Sequence, residues 1–435
     1  MSTVFFAGVI IPIMLVILLA MGIPVAFALM VTGILGLVVI GTLQQALAAM
    51  WSITYSAVAS WLLTCVPLFI LMGHLAFVSG LADKAYYAAY RWIGQVRAGL
   101  GMASAVACGI FAATTGSSVA TAATVGKIAI PEMEKYGYDS GFACGAVAAG
   151  GTLGILIPPS IILVIYGVIT EESIGKLLVA GFLPGLLSIA SYSAMMWITA
   201  RIRPHIAPPG PSVSWKERLN SLGMIWGVLL LLFVVMGGIY FGVATPTEAA
   251  ALGAFGALLL ALPNIRRDRK LLTDALLETT LTTSMVFAIL AGAALLTLLV
   301  VYAGVPFYIT EAVLALEAPR VVVLILLLLL YIPLGMILDG MSIVVITIPL
   351  MYPVVTALGY DGIWFGIIVV KMIEIGLMTP PLGINVFVIR GIAPHVPIES
   401  IFANIVRFVV ADLIVVAILI AFPQIALFLP NAMWT

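Results

Sequence analysis

The chain has 435 residues, of which 64% are hydrophobic and 8% are charged, and its 18 basic and 18 acidic side chains give a net charge of zero. So few charges cannot cover the surface of a soluble protein of this length, and the balanced charge argues against nucleic acid as a partner. Apolar stretches long enough to cross a bilayer recur throughout, so the composition predicts an all-α polytopic membrane protein.

The first half of the chain alternates apolar spans with one interrupted excursion. Its spans are predicted over 4–22, 23–41, 61–79 and 174–200, and its surface helices over 44–58 and 83–97. Residues 99–131 predict a re-entrant helical hairpin, because the central GSS interrupts an apolar stretch near Gly116. Residues 140–170 predict a crossing that is broken at GGTLGILIPP, where glycine weakens the helix and proline removes backbone donors.

The second half of the chain follows the same order after a polar stretch over 201–218. Its predicted spans are 219–242, 245–263, 281–302 and 398–423, with a basic loop over 264–270 and an amphipathic helix over 304–318. A second hairpin is predicted over 321–353, with its turn near Asp339. A second broken crossing is predicted over 359–390, with its break at EIGLMTPP.

Helix-punctuating residues recur at a single offset of 222 residues, which indicates an internal duplication. The matched positions are Pro24 with Pro246, Pro131 with Pro353, Gly154 with Gly376, and Pro158–Pro159 with Pro380–Pro381. We therefore predict two repeats, residues 1–210 and 211–435. Paired segments that are interrupted by Gly and Pro are typical of the midplane site of a secondary transporter.

The distribution of Lys and Arg predicts the orientation of these repeats. Basic residues concentrate in 84–97, 201–218 and 264–270, which marks the cytoplasmic side. If both hairpins re-enter, each repeat has an odd number of crossings, so the second repeat starts from the opposite side of the membrane. The sequence therefore predicts inverted repeats.

The two hairpin tips and the two breaks are the candidate site. Ser117 and Ser118 at the first tip can offer hydroxyl and carbonyl oxygens to a hard cation. The alternative is that these small residues only permit close helix packing. Asp339 at the second tip would cost about 2.5–3.5 kcal/mol inside a bilayer, which indicates function unless the tip reaches water. The other residues that flank the breaks are Thr152, Gly154, Gly376, Thr379 and Asn385.

The remaining intramembrane charges have weaker interpretations. Lys371 is predicted near a helix end, where its side chain can reach the interface. Glu374 is interpreted as a counter-charge or as a group that docks the hairpin. Arg390 and Arg407 either face an anionic substrate or anchor the chain at the interface. The sequence has no nucleotide-binding motif, catalytic set or metal-ligand spacing, so we predict no enzyme activity, no cofactor and transport driven by a gradient.

The sequence resembles the large membrane subunit, the DctM type, of tripartite ATP-independent periplasmic (TRAP) transporters. Four motifs carry the resemblance: GSSVATAATVGKIAIPEMEKYGY, GTLGILIPPSIILVIYG, VAGFLPGLL and EIGLMTPPLGINVFVIRG. It covers essentially the whole chain, including the opening GIPVAFAL. The resemblance implies sodium-coupled import of an organic anion across a bacterial inner membrane by an elevator mechanism.

The same resemblance implies partners and site residues. The partners are a DctP-type periplasmic substrate-binding protein and a DctQ-type small four-helix membrane subunit, which is expected to be a separate chain. The implied sodium sites are Gly116, Ser117 and Ser118 facing Gly151, Thr152 and Gly154, and Asp339, Gly340 and Met341 facing Gly376 and Thr379. The organic anion is expected between the tips, at Ser118, Pro158, Asp339, Pro380 and Asn385.

Two other classes of protein stay open at this point. An ion channel can also use re-entrant hairpins and broken helices, and it would conduct without a soluble partner. A duplicated chain favours the transporter over the channel. A membrane-embedded enzyme is the third class, but the sequence offers no catalytic constellation for it.

Overall fold

The computed structural model describes residues 6–315 and 317–433, and every regular element within these ranges is helical. Residues 4 and 5 of the predicted span 4–22 and residue 316 of the predicted helix 304–318 lie outside the described residues. Six helices, or seven if the bent pair Trp215–Leu222 and Trp226–Tyr240 is one span, are long and apolar enough to cross a membrane. The six are Trp61–Val78, Ile174–Ile202, Pro246–Arg267, Lys270–Tyr302, Gly340–Ala357 and Ile398–Ala421.

A group of long helices packs beside the interrupted segments. Lys270–Tyr302 lies along Val25–Ile40, and Pro246–Arg267 packs against Cys65–Val78. Glycine permits the closest approach, because a Cβ on Gly33 would come within 2.9 Å of the Leu295 backbone. The remaining helices are Ile11–Ala20, Leu43–Val58, Leu81–Ile93, Ile174–Ala180, Phe182–Ile202, Trp226–Leu232, Gly238–Tyr240, Val305–Ala315 and Gln424–Asn431, with π-helical turns at Phe6–Ile10 and Phe233–Gly237.

The first hairpin consists of Gly99–Thr115 and Ser118–Lys135. The chain turns at Gly116, whose φ of 61° is the left-handed conformation that glycine adopts without strain. Ser117 begins the second arm as its N-cap, since its Oγ accepts a hydrogen bond from the Ala120 N–H at 3.3 Å.

The first broken helix consists of Ser140–Thr152, a 3₁₀ turn at Leu153–Ile155, and a second arm at Ile161–Thr170. Ser160 caps the second arm, because its Oγ accepts from the Leu163 N–H at 3.3 Å and donates to the Ile155 carbonyl at 2.5 Å. The freed backbone groups are therefore satisfied partly by a side chain within the break.

The second hairpin and the second broken helix have related elements. Two short helices, Arg320–Leu329 and Tyr331–Gly335, form the first arm of the hairpin, and Gly340–Ala357 forms the second. The broken helix consists of Gly362–Met378 and Ile384–Ile392. In both breaks the Pro–Pro peptide bond is cis.

The second arm of each broken helix packs against helices from the other half of the chain, so the two arms are exchanged between the halves. Ile384–Ile392 contacts Ser118–Lys135 and Ser140–Thr152 in the first half of the chain. Ile161–Thr170 contacts Gly340–Ala357 and Gly362–Met378 in the second half. Each hairpin therefore packs against a break from its own half and an arm from the other half.

Candidate functional site

The first hairpin tip lies directly against the first break. A Cβ on Gly116 would come within 2.6 Å of the Pro159 carbonyl oxygen, and a Cβ on Gly154 would overlap the Ser117 carbonyl oxygen. Only glycine permits these two approaches. The structure therefore brings the backbone of Gly116 and Ser117 together with the break that the sequence predicts to face them.

Hydroxyl groups surround this contact. Ser118 and Thr152 are buried, and Thr152 donates its hydroxyl proton to the Ala149 carbonyl at 2.7 Å. Thr115 and Thr121, which the sequence interpretation missed, join their hydroxyls at 2.9 Å. Thr121 follows Ser117 by four residues on the same helix face, and that spacing is the signal that could have found it.

Gly151, two residues before the 3₁₀ turn, completes the contact. A Cβ there would come within 2.5 Å of the Ala122 Cβ, so the first arm of the break and the second arm of the hairpin nearly touch. Small residues thus allow close packing at the same place where oxygens converge. This geometry is therefore compatible with both alternatives for Ser117 and Ser118, which are cation binding and close helix packing.

The second tip is organised around the Asp339 carboxylate. Its Oδ2 accepts from the backbone N–H groups of Met341 at 3.1 Å and Ser342 at 3.3 Å, and the Ser342 hydroxyl donates to Oδ1. Asp339 is thus the N-cap of Gly340–Ala357, where a negative charge also suits the helix dipole. Asp339 is half-buried, as is Met341, whereas Gly340 is buried.

The second break contacts the second hairpin below the tip. A Cβ on Gly376 would come within 2.6 Å of the Gly335 Cα, which lies in the first arm of the hairpin. Thr379 donates its hydroxyl proton to the Ile375 carbonyl at 2.6 Å. Within the described residues, no hydrogen bond joins Asp339 to Gly376 or Thr379, unlike the direct contact at the first tip.

The residues expected to meet the organic anion lie in different environments. Ser118 and Pro158 are buried, whereas Pro380 is exposed. Asn385 is fully buried, donates from Nδ2 to the Ala148 carbonyl at 3.3 Å, and has no partner for Oδ1 in the described part of the chain. The structure therefore places Asn385 beside the first broken helix.

A buried charge cluster lies between the two breaks. Lys371 contacts Glu374 and also donates to Asp412 Oδ1 at 2.6 Å, and the side chains of all three are fully buried. The Tyr192 hydroxyl donates to Asp412 Oδ2 at 2.6 Å and lies 3.4 Å from Thr152 Oγ1. The cluster therefore links the helix before the second break to the end of the first broken helix.

This cluster corrects the interpretation of Lys371. The sequence predicted a side chain that reaches the interface from a helix end, but Lys371 lies within Gly362–Met378 with no exposed surface. Glu374 is its counter-charge, one of the two alternatives. Asp412 was missed, although a single carboxylate within the apolar stretch VVADLIVV is a recognisable signal of an intramembrane polar contact.

Each of the two intramembrane arginines forms hydrogen bonds with residues close to it in the chain. Arg390 Nη1 donates to the carbonyls of Val396 at 2.6 Å and Ala393 at 3.3 Å, and it also contacts the Pro394 carbonyl. Its guanidinium therefore fixes the loop that follows Ile384–Ile392, a role that the sequence interpretation did not include. Arg407 Nη1 donates to Asn404 Oδ1 at 2.9 Å.

Comparison with known proteins gives consistent matches over most of the chain. Residues 12–425 match the family described as "Tripartite ATP-independent periplasmic transporter, DctM component". The chain is 38% identical to the C4-dicarboxylate TRAP transporter large permease protein DctM of Pseudomonas aeruginosa, over 85% of this chain and 86% of that protein. It is 30% identical to the sialic acid TRAP transporter large permease protein SiaM of Vibrio cholerae, over 95% and 96%.

Among solved structures, the fold is similar to that of the Alcanivorax borkumensis YdaH transporter. The TM-score is 0.65 at 14% sequence identity, over 88% of this chain and 90% of that one. At this identity the likeness concerns the fold alone.

Proposed function

Because the chain belongs to the DctM family of tripartite ATP-independent periplasmic transporter components, we propose that it is the large membrane subunit of a sodium-coupled importer of an organic carboxylate. Membership makes it a multi-pass transport protein and not an enzyme. The proposal adds the coupling ion, the substrate class and the bacterial inner membrane. It also adds two separate partners, a DctP-type periplasmic binding protein and a DctQ-type small membrane subunit.

The contact between the first tip and the first break carries the sodium proposal. The Ser117 carbonyl lies against Gly154, and the Thr115 and Thr121 hydroxyls lie 2.9 Å apart nearby. Carbonyl and hydroxyl oxygens are the donors that a hard cation prefers. We assign the first sodium site to Gly116, Ser117, Ser118, Gly151, Thr152 and Gly154.

The second sodium site is proposed at Asp339, Gly340, Met341, Gly376 and Thr379. Its support is the half-buried Asp339 carboxylate, which supplies a full negative charge, and the close approach of Gly335 to Gly376 below the tip. In this proposal, binding of sodium draws the tip toward the break. The carboxylate repels an organic anion until a cation neutralises it, so sodium binds before the substrate.

The substrate is proposed to bind between the tips, at Ser118, Pro158, Asp339, Pro380 and Asn385. The two relatives named above carry a C4-dicarboxylate and a sialic acid, according to their names. Both compounds contain a carboxylate, which supports that substrate class for this chain. The buried amide of Asn385 can pair with a polar group of the bound molecule, since its Oδ1 has no partner in the described residues.

The transport movement is proposed to be an elevator, with both hairpins and both broken helices moving as one block against the long helices. The exchanged second arms support this, because each ties one half to the hairpin of the other. The inverted orientation of the two repeats is part of the proposal. Lys135 and Ala357 are separated by the repeat offset and both are exposed, so single cysteines there should react with an impermeant thiol reagent from opposite sides of the membrane.

The proposal is tested by uptake into proteoliposomes that contain this chain, its small subunit and its binding protein. We expect uptake of one or a few organic carboxylates only when the sodium concentration is higher outside the proteoliposomes than inside. Uptake that persists with potassium in place of sodium would contradict the coupling. Ion conduction without the binding protein would instead favour the channel.

A further inference from the structure

A surface cavity lies away from the tips and breaks, where the helix Phe182–Ile202 ends. Its volume is about 400 Å³, and it is lined by Val96, Arg97, Trp197 and Arg201. Val96 and Arg97 belong to the loop that precedes the first hairpin, so the cavity is formed between that loop and the last turns of the helix. Neither the predicted sodium sites nor the substrate position include any of these residues.

The cavity is lined by two positively charged arginine side chains. Neither Arg97 nor Arg201 forms an ion pair with a carboxylate within the described part of the chain. The Arg201 guanidinium lies over the Trp197 ring at 4.7 Å from its centroid. A guanidinium stacked in this way keeps its N–H edge free, and that edge matches the oxygens of a phosphate.

The cavity lies at the end of a candidate membrane-spanning helix, a position expected at the boundary between the hydrocarbon core of the bilayer and water. Arg201 is in the last turn of the candidate span Ile174–Ile202, and Trp197 stands one turn earlier with 42% of its surface exposed. Trp92 and Trp215 are also exposed on neighbouring segments. Exposed tryptophans at span ends typically lie at the level of the lipid headgroups, with basic residues beside them.

The loop that holds Arg97 is fixed before any ligand binds. Ala98 has a φ of 59°, an unusual conformation for a residue with a side chain. Its N–H donates to the Ala207 carbonyl at 3.1 Å, and the Gly210 N–H donates to the Gly94 carbonyl at 2.9 Å. Because the following polar segment clamps the loop, little backbone entropy is lost when a ligand binds to Arg97.

We propose that this cavity binds the phosphate of an anionic phospholipid, with Arg97 and Arg201 contacting the phosphodiester and Trp197 and Val96 contacting the start of the acyl chains. A membrane lipid is favoured over free phosphate because two of the four lining residues are apolar and the cavity lies at a span end. Arg97 stands two residues before the first hairpin, so the bound lipid fastens the base of that hairpin.

The proposal is tested on the purified chain in neutral detergent by adding short-chain phosphatidylglycerol, phosphatidylcholine or inorganic phosphate. We expect phosphatidylglycerol alone to raise the Tm of the wild-type protein. The double variant Arg97→Gln/Arg201→Gln should lose more than half of that shift. A matched control, Arg266→Gln/Arg267→Gln, removes two basic residues at the end of another span and should keep the shift.

If the double variant does not fold, single variants test the site by a second measurement. Brominated phosphatidylglycerol should quench tryptophan fluorescence more in the wild type than in Trp197→Phe, and Arg201→Lys should weaken this quenching because lysine lacks the planar fork. An undiminished Tm shift in the double variant, or equal quenching in Trp197→Phe, would overturn the site. An equal Tm shift with inorganic phosphate or with phosphatidylcholine would overturn the assignment to an anionic lipid.

Discussion

The two breaks have nearly the same punctuation in sequence but opposite exposure in the structure. Every residue from Gly151 to Ser160 in the first break is buried, whereas Pro380, Pro381 and Leu382 in the second break are exposed. The two tips also differ in the charge of their capping residues. The first tip is capped by a neutral serine, and the second by the Asp339 carboxylate. A full charge is thus placed at the tip beside the more accessible break, where solvation reduces its cost.

The walls of the first break explain its burial. Gly181 packs against the Leu156 carbonyl, and Gly185 packs against Ile157, at distances that no side chain would permit. At the repeat offset, the second half has Ala403 and Arg407 in place of these glycines. The second half therefore lacks the two glycines that let a helix pack this closely against the first break.

The largest expected effect tests the cluster that connects the two breaks. Lys371→Met leaves Glu374 and Asp412 buried without their shared cation, so we expect a loss of about 3–5 kcal/mol in unfolding free energy. The measurement is denaturant or thermal unfolding in detergent. Lys127→Met, at an exposed lysine of the first hairpin, is the control and should change stability by less than about 0.5 kcal/mol. Equal stability of the two variants would refute the structural role of Lys371.

The next effect tests the closed contact at the first break. Gly154→Ala adds a methyl group that overlaps the Ser117 carbonyl, so we expect about 1–3 kcal/mol of destabilisation and a loss of sodium-induced thermal stabilisation. Gly391→Ala is the matched control, because a Cβ there meets no atom within 4 Å. If sodium stabilises Gly154→Ala as strongly as the wild type, the first sodium site is misplaced.

The third effect concerns the charge at the second tip. Asn is nearly as good an N-cap as Asp, so Asp339→Asn should fold normally while its apparent sodium affinity falls roughly tenfold, or about 1.4 kcal/mol. Asp361→Asn is the control, since Asp361 caps the helix Gly362–Met378 by accepting from the Trp364 N–H at 2.9 Å. Sodium-dependent uptake by both variants is the measurement. Unchanged sodium dependence in Asp339→Asn would make the carboxylate a solvated bystander.

The smallest expected effect tests the difference in exposure between the two breaks. In a background without Cys65, Cys108 and Cys144, which are all buried and free, Leu382→Cys should react with a soluble thiol reagent far faster than Leu156→Cys. Similar labelling rates at both positions would contradict the contrast between the breaks.

The sequence by itself determined the features that depend on local backbone chemistry. Glycine permits the left-handed turn at Gly116, and the proline pairs interrupt their helices because proline cannot donate a backbone hydrogen bond. The apolar composition required helices in a membrane, and the linked motifs indicated the family that the comparisons confirm. All of these follow from residues that are neighbours along the chain.

Only the tertiary structure decided which distant groups meet. Lys371 pairs with Asp412 across 41 residues, and Asn385 reaches Ala148 across 237. The second arms exchange between the halves, which gives each hairpin a neighbour from the other half. Burial of a charge or exposure of a break depends on the side chains that pack over it from other helices. Those contacts are set by the assembled fold, and no local pattern in the sequence specifies them.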